Sequence, residues 1–280
     1  SSALALEHMI YMISKTEPHI IILTELQMKT KQRWLMRLLK RYHTFFSLKP
    51  QKGASKAGVL VAVSKQICEL GTVTQNPLPC SAQGFLVHIT LQLPESDPLH
   101  VIGSYYPHTT LVRKHLNNVV GEIINMIEPT HKLIMAGDFN ATIQDADRAT
   151  QATYTADKIH RAFVASNKLH PMDPITEMGQ ARAATYRKGT NNQPYSRIDD
   201  ILTNLEPATM LHGTTNTTIV NTTGSSSDHN ALHAHIDFTV LNLLPPLPTI
   251  DRPPLSNERL RHLSPNTWRA ISAQSMRCKE

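Results

Sequence analysis

Short apolar runs that end in polar residues constrain this sequence more than any other feature. The runs HIIILTE at residues 19–25 and KLIMAGD at residues 132–138 consist mainly of aliphatic side chains. Apolar runs of this length are typical of buried strands. Similar extended segments are predicted at residues 43–48, 58–64, 84–93, 100–106, 183–189, 196–204 and 231–238.

Apolar residues recur at helical spacing in other segments, which predicts helices over residues 3–14, 30–42, 112–127 and 156–167. Strands interspersed with helices indicate an α/β fold in which two sheets pack face to face with the helices outside. The composition changes after Phe238, where LPPLPTIDRPP holds five of the 18 prolines. We therefore predict a globular domain over residues 1–240 and a proline-rich linker with a short helix over residues 241–280.

The bulk composition narrows the classes of function. The formal net charge of +6 suits a polyanionic partner but does not establish one. Three cysteines that lie far apart without a CxxC pair suggest neither a zinc site nor a disulfide framework, and they favour a reducing, intracellular compartment. No apolar run reaches the ~18 residues of a membrane-spanning helix, so we expect no membrane partner.

Polar residues at the ends of two predicted strands are candidates for chemistry. Glu25 closes the run at residues 19–25, where a carboxylate is a suitable ligand for Mg²⁺. In GDFN, at residues 137–140, Asp138 could orient or deprotonate a water molecule that Asn140 holds. The alternatives are a solvated strand end for Glu25 and a simple turn for GDFN, since Asp, Asn and Gly favour turns.

Two further polar clusters lie later in the chain. In SRIDDILTN, Asp199 and Asp200 point to opposite faces because strand side chains alternate, and we choose Asp199 for a shared site. In SSSDHN, His229 next to Asp228 can stabilise charge on a phosphate or exchange a proton. A charged edge strand and a polar loop are the respective structural alternatives.

In their order along the chain, these segments resemble the endonuclease/exonuclease/phosphatase superfamily, which includes abasic-site endonucleases and pancreatic-type DNases. The matching elements run from about residue 19 to residue 237. They are Glu25 after an apolar strand, Tyr105 and Pro107 in SYYPH, then GDFN, SRIDDIL and SDHN. Within the superfamily, ATYRKG followed by YSRIDDIL is most similar to the endonucleases of non-LTR retrotransposons.

The resemblance implies a four-layer α/β sandwich and a Mg²⁺- or Mn²⁺-dependent DNA endonuclease whose products carry a 3′-hydroxyl and a 5′-phosphate. It implies that the enzyme nicks target DNA for a retrotransposon, in the nucleus, as a monomeric domain of a polyprotein with a reverse transcriptase. Two alternatives stay open. They are a phosphatase or phosphodiesterase acting on a small molecule such as a phosphoinositide, and a catalytically dead nucleic-acid-binding remnant.

The resemblance also implies roles for individual residues. Glu25 would bind the divalent metal, with Asp228 near the metal or the leaving group. Asp138 would activate the attacking water, with Asn140 beside it. His229, steadied by Asp199, would stabilise the charge that develops on the phosphate. Tyr105 would hydrogen-bond the scissile phosphate.

Basic and polar residues in loops near the same strand ends are predicted to bind DNA, mainly through its phosphates. Such binding should weaken as the salt concentration rises. The predicted residues are Lys52, Lys56, Arg182, Thr185, Arg187, Lys188 and Arg197.

The sequence departs from the family pattern at its start. Members of the family begin with a strand that carries an asparagine of the metal site, and we find no such strand before the helix predicted at residues 3–14. Thr24 also stands where the family often has glutamine. Because the other site residues are present, we expect a fragment of a longer product rather than a degenerate enzyme.

Overall fold

The elements that carry the predicted site lie within the part of the chain that this computed structural model describes. The described residues are 13–26, 35, 39–48, 57–148, 150, 154–173, 182–188, 193–206, 216–220 and 228–236. The chain divides into two compact units, Ser1–Pro245 and Pro246–Glu280, and every described residue belongs to the first. Among these residues, no helix is both long enough and apolar enough to cross a membrane. Lys52, Lys56 and the proline-rich segment lie outside them.

Strands make up most of the described secondary structure. In chain order they are β1 (Ile20–Leu23), β2 (Tyr42–Leu48), β3 (Gly58–Ser64), β4 (Thr72–Gln75), β5 (Leu86–Gln92), β6 (Leu99–Tyr105), β7 (Lys132–Asp138), β8 (His170–Pro171), β9 (Tyr186–Lys188), β10 (Gln193–Ser196), β11 (Asp199–Thr203), β12 (Asn216–Val220) and β13 (Ala231–His235). The helices are α1 (Lys65–Leu70), α2 (Thr110–Met126) and α3 (Thr155–Ser166), and residues 13–16 are also helical.

The strands form two main sheets. A three-stranded antiparallel sheet has the order β1-β3-β2, and a six-stranded sheet has the order β4-β5-β6-β7-β11-β8. In the larger sheet β6 and β7 run parallel, while β11 runs antiparallel to β7. Two smaller antiparallel pairs, β9 with β10 and β12 with β13, complete the described strands.

The two main sheets pack directly against each other. At Gly103 in the middle of β6, an added Cβ would lie 2.7 Å from a methyl carbon of Val61 and 3.3 Å from one of Ile22, both in the smaller sheet. Real Cβ atoms are almost never closer than 3.0 Å to another heavy atom, so the sheets meet here without room for a side chain. Glycine at this position therefore sets how closely the sheets approach.

Apolar segments cover the outer faces of both sheets. Buried residues of α2, such as Leu116 and Val120, and Phe163 of α3 belong to the same core as the larger sheet. On the other side, Leu35 and Leu39 pack with Leu60 of β3 in a second core. The result is a four-layer α/β sandwich, and the predicted fold class is confirmed.

Within the described residues, the predicted elements agree with the structure except at boundaries and short pieces, and most of the helices predicted at residues 3–14 and 30–42 lies outside those residues. Tyr42 begins β2 rather than ending a helix, and its hydroxyl donates a hydrogen bond to the Pro18 carbonyl. The strand predicted at residues 196–204 is interrupted at Arg197 and Ile198, where β10 ends and β11 begins. The short elements α1, β4, β8 and β12 were not predicted.

Candidate active site

Three adjacent strands of the larger sheet bring Tyr105, Asp138 and Asp199 to one edge. The parallel strands β6 and β7 both end there, and Tyr105 is paired with Asp138 in the register of the sheet. The antiparallel strand β11 begins there, and Asp199 is paired with Asp138. Side chains on directly paired residues lie on the same face of a sheet, about 4.5–5.5 Å apart. The three side chains therefore form a row.

Asp138 is almost fully buried at the centre of this row, with 2% of its surface exposed. The Asn140 backbone donates to one carboxylate oxygen of Asp138 at 2.8 Å, and the Asn140 amide donates to the other at 3.0 Å. Burial and the charge of Asp199 raise the pKa of Asp138 far above its ordinary range. Asn140 reaches this position through a left-handed backbone conformation, with φ of 47°.

The glycine before Asp138 is required by the close approach of two strands. Gly137 has φ of +148°, and an added Cβ would lie 1.8 Å from the backbone carbonyl oxygen of Ser104 on β6. A side chain at this position would push β7 away from β6 just before the carboxylate. The glycine of GDFN therefore lets Asp138 and Tyr105 lie next to each other.

Glu25 reaches the same edge from the smaller sheet. It follows β1 in a left-handed conformation, with φ of 55°. The Tyr105 hydroxyl hydrogen-bonds the Glu25 carboxylate, and burial together with this negative charge raises the pKa of Tyr105. The charge of Glu25 also contributes to raising the pKa of Asp138. The structure thus brings Glu25, Tyr105 and Asp138 together from two different sheets.

His229 completes the site from the segment before β13. Its Nδ1 lies 2.8 Å from a carboxylate oxygen of Asp199. Burial by itself would lower the pKa of His229, but the hydrogen bond and charge of Asp199, with Asp138 and Asp228, raise it to about 9. The imidazole is therefore protonated at neutral pH. Its ring packs 5.4 Å from the ring of Tyr186 on β9.

The donor set at this edge fits a hard divalent cation. One potential ligand atom from each of Asp138, Asp199 and His229 lies within 4.8 Å of the others, the one such group among the described residues. Because the imidazole of His229 is protonated, the two carboxylates are the available donors. Glu25 adds a third carboxylate to the same neighbourhood. Carboxylate oxygens, combined with water and phosphate oxygens, are the ligands that Mg²⁺ prefers. A cation would also relieve the repulsion among these clustered negative charges.

Asp228 lies next to this group but is exposed. Its backbone carbonyl accepts a hydrogen bond from the Arg187 backbone at 2.8 Å, which ties the segment before β13 to β9. Its side chain is not one of the three that converge within 4.8 Å. Its contribution to the site within the described residues is the charge it adds near His229.

Arg113 holds together the two loops that follow β6 and β7, a role that the sequence did not indicate. This fully buried side chain of α2 donates to the carbonyl of Phe139 at 2.7 Å and to that of Pro107 at 3.2 Å. It thereby links the loop after β7 to the loop after β6. A lone arginine within an amphipathic helix pattern gives no sign of such a role.

The prediction that Arg182 and Arg197 bind DNA is wrong, because both are buried in an ion-pair network. Arg182 donates to the carboxylates of Asp147 and Asp200 at 2.7–3.0 Å. Arg197 pairs with Asp173 at 2.8 Å and with Asp200 at 3.4 Å. A guanidinium held by two carboxylates inside the protein is not available to a phosphate. Arg197 also donates to the Asp199 carbonyl at 2.9 Å, so the network holds the first residue of β11 in position.

Thr185 and Arg187 are likewise buried, which contradicts their predicted contact with DNA. The Thr185 hydroxyl accepts hydrogen bonds from the backbone N–H groups of Ile198 and Asp199, at 3.1 and 3.0 Å. Arg187 points inward because side chains alternate along β9. Lys188 is exposed on the opposite face, with its ammonium 4.6 Å from the Tyr195 ring centroid.

Comparison with known proteins agrees with this architecture. Residues 2–229 match the model of the Endonuclease/Exonuclease/phosphatase family. AP endonuclease LMAP from Leishmania major is similar in structure, with a TM-score of 0.66 and 13% identity over 83% of each chain. So is the endonuclease domain of TRAS1, a telomere-specific non-LTR retrotransposon, with a TM-score of 0.59 and 14% identity over 84% of this chain and 93% of that one.

A third similar structure is the 3′ phosphatase NExo from Neisseria bound to a product DNA hairpin. Its TM-score is 0.60, with 15% identity over 84% of this chain and 95% of that chain. At these identities the three likenesses concern the fold. No curated protein sequence matches the chain significantly.

Proposed function

The chain belongs to the endonuclease/exonuclease/phosphatase family, and on that premise we propose that it is a divalent-metal-dependent endonuclease that hydrolyses DNA phosphodiester bonds. The observation that carries the proposal is the convergence of Glu25, Tyr105, Asp138, Asp199 and His229 at one edge of the sandwich. This set joins acidic metal ligands to a protonated imidazole, a combination suited to a phosphate ester.

Within the proposal, each residue has a role that follows from its protonation state. His229 is a cation at neutral pH, so it stabilises the negative charge that develops on the phosphate and does not act as a base. Asp199 holds that cation in position. Asp138, whose pKa is raised by burial and by Asp199, accepts the proton of the attacking water. Asn140 fixes the orientation of the Asp138 carboxylate.

A bound Mg²⁺ or Mn²⁺ would act as a Lewis acid on a phosphate oxygen. Glu25 is the residue proposed to hold it, with Asp228 near the metal or the leaving group. The Tyr105 hydroxyl has one hydrogen, so it would donate to the phosphate when the metal takes up the Glu25 carboxylate. Cleavage of the P–O3′ bond, with a proton passing to O3′, gives the proposed 3′-hydroxyl and 5′-phosphate products.

Surface residues beside His229 support DNA as the substrate. Tyr186 packs against His229, and Tyr195 lies edge-on to Tyr186 with the Lys188 ammonium over its ring. A cation beside half-buried aromatic rings suits contact with phosphates and stacked bases. We propose Lys188, together with Lys52 and Lys56, as the phosphate contacts.

The proposed biological context is target-DNA nicking by a non-LTR retrotransposon, in the nucleus, with the domain acting as a monomer within a polyprotein that includes a reverse transcriptase. The 3′-hydroxyl product would then prime reverse transcription. The likeness to the TRAS1 endonuclease domain supports this context. The likeness to a 3′ phosphatase supports a second candidate, hydrolysis of a terminal phosphate at the same site.

A parallel assay on three phosphate esters tests the proposal. The full chain is incubated with supercoiled plasmid, with a DNA hairpin bearing a 3′-phosphate and with a phosphoinositide, each with Mg²⁺ or with EDTA. We expect Mg²⁺-dependent nicking that is lost in Asp138→Ala and His229→Ala and retained in Asp145→Ala, an exposed aspartate paired with Arg161. Phosphate release from the hairpin or the lipid with intact plasmid would overturn the ranking. DNA binding that is indifferent to metal, without hydrolysis of any substrate, would identify a non-catalytic module.

A further inference from the structure

Three histidines form a row far from the candidate active site. Nε2 of His88 on β5 lies 3.0 Å from Nδ1 of His100 on β6, and Nε2 of His100 lies 3.2 Å from Nδ1 of His131. The ring centroids are 5.2 and 5.4 Å apart. His100 is near the start of β6 and Tyr105 is at its end, a separation of about 17 Å along a strand. The row is therefore a separate cluster.

Neighbouring residues hold the rings of His100 and His131 in place. The hydroxyl of Thr90, which is paired with His100 across the sheet, lies 3.3 Å from its Nδ1. Nε2 of His131 lies 3.8 Å from the Glu128 carboxylate. The His131 backbone is fixed at both ends, since its N–H donates to the Glu128 carbonyl and its carbonyl accepts from the Asn204 amide.

We propose that Nε2 of His100 and Nδ1 of His131 bind a divalent cation of the zinc class, with water completing its coordination. Zinc–imidazole bonds of about 2.0–2.1 Å place two nitrogens of a tetrahedral site about 3.3–3.4 Å apart. The 3.2 Å between these nitrogens is close to that value, and the tautomer of His100 that carries its proton on Nδ1, facing His88, leaves a lone pair on its Nε2. His88 and Glu128 act as orienting residues, because each faces the second nitrogen of a ligand ring.

A neutral imidazole nitrogen carries the lone pair that binds a metal. Imidazole nitrogen suits Zn²⁺, Cu²⁺ or Ni²⁺, whereas Mg²⁺ takes oxygen ligands, so Mg²⁺ should not compete for the histidine site.

The bound ion would join separate parts of the larger sheet. His100 belongs to β6, and His131 lies in the connection between α2 and β7. Through His88, the orienting contacts extend to β5. Binding only to the folded state stabilises that state, so Zn²⁺ should raise the unfolding temperature.

The test measures Zn²⁺ stoichiometry by competition with a chromophoric chelator, using the full chain in excess Mg²⁺. Because Zn²⁺ also suits the carboxylate and histidine group of the active site, the informative quantity is the difference between variants. His131→Ala should bind one Zn²⁺ fewer than the wild type. His115→Ala, which removes an exposed histidine of α2 paired with Ser81, should bind the same number as the wild type.

Ring-nitrogen NMR of the wild-type chain provides a readout that needs no variant to fold. Zn²⁺ should shift the resonances of His100 and His131, including in protein whose active-site carboxylates are saturated with Mg²⁺. Equal stoichiometry in His131→Ala and the wild type, or unshifted resonances for both rings, would overturn the proposal and leave the row as a hydrogen-bonded ladder only.

Discussion

The buried hydroxyl of Thr185 offers the sharpest test of how the site is held together. It accepts two backbone hydrogen bonds at the start of β11, one of them from Asp199. Thr185→Val keeps the shape of the side chain and its preference for extended backbone, but it leaves two buried N–H groups without an acceptor. Each unsatisfied buried donor costs about 1–3 kcal/mol, so the free energy of unfolding should fall by about 2–6 kcal/mol.

Thr185→Ser is the matched control, because it retains the hydroxyl and loses only a methyl group. Its cost should be about 1 kcal/mol. Urea denaturation followed by circular dichroism measures the free energy of unfolding of both variants and the wild type. The valine variant should also nick DNA more slowly, since the Asp199 backbone loses its anchor. A loss of stability in Thr185→Val no larger than in Thr185→Ser would refute the reasoning.

Four other predictions test the electrostatics and the packing. Asp199→Asn should lower the pKa of His229 from about 9, measured by NMR titration of the ring, and an unchanged midpoint would contradict the assigned pairing. Because the pKa of His229 is higher in the folded protein than its ordinary value of 6.5, its protonation stabilises the folded state fully below pH 6.5, and this stabilisation is lost as the pH rises through about 9. The free energy of unfolding of the wild type should therefore decline across that interval more steeply than that of Asp199→Asn. Gly103→Ala should destabilise the fold, because the new Cβ would lie 2.7 Å from a valine methyl of the opposite sheet. Gly121→Ala, in the open part of α2, should stabilise the fold by about 0.5–1 kcal/mol. Equal shifts of the unfolding temperature in the two variants would contradict the close approach of the sheets at Gly103. Mg²⁺ affinity should rise with pH, because the raised pKa of Asp138 makes binding displace a proton, and calorimetry in buffers of different ionisation enthalpy would show no proton release if this account were wrong.

The sequence predicted those parts of the fold and site that depend on local pattern. Apolar runs located the long strands, and the alternation of strand side chains indicated that only one of Asp199 and Asp200 faces a shared site, for which we chose Asp199. The structure places Asp199 against His229 and Asp200 against two buried arginines. Short elements such as β8, which has two residues, carry too few side chains to produce a period.

The errors concerned charged residues whose partners are distant in sequence. Arg182 and Asp147 are 35 residues apart, and Arg197 and Asp173 are 24 apart, so no local pattern identifies them as pairs. Basic residues near a predicted DNA site were therefore interpreted as phosphate contacts. The burial of Arg187 was open to prediction, because it alternates along β9 with Tyr186 and Lys188.

The row of Tyr105, Asp138 and Asp199 has a consequence for how the site can change. Its spacing comes from backbone hydrogen bonding between neighbouring strands, about 4.8 Å apart, and not from side-chain packing. Substitutions of exposed residues around the site leave this distance unchanged, whereas a one-residue insertion in β7 would turn the Asp138 carboxylate to the opposite face. New substrate preferences can therefore arise through changes in loops and surface residues, while the peptide backbone keeps the spacing of the three side chains constant.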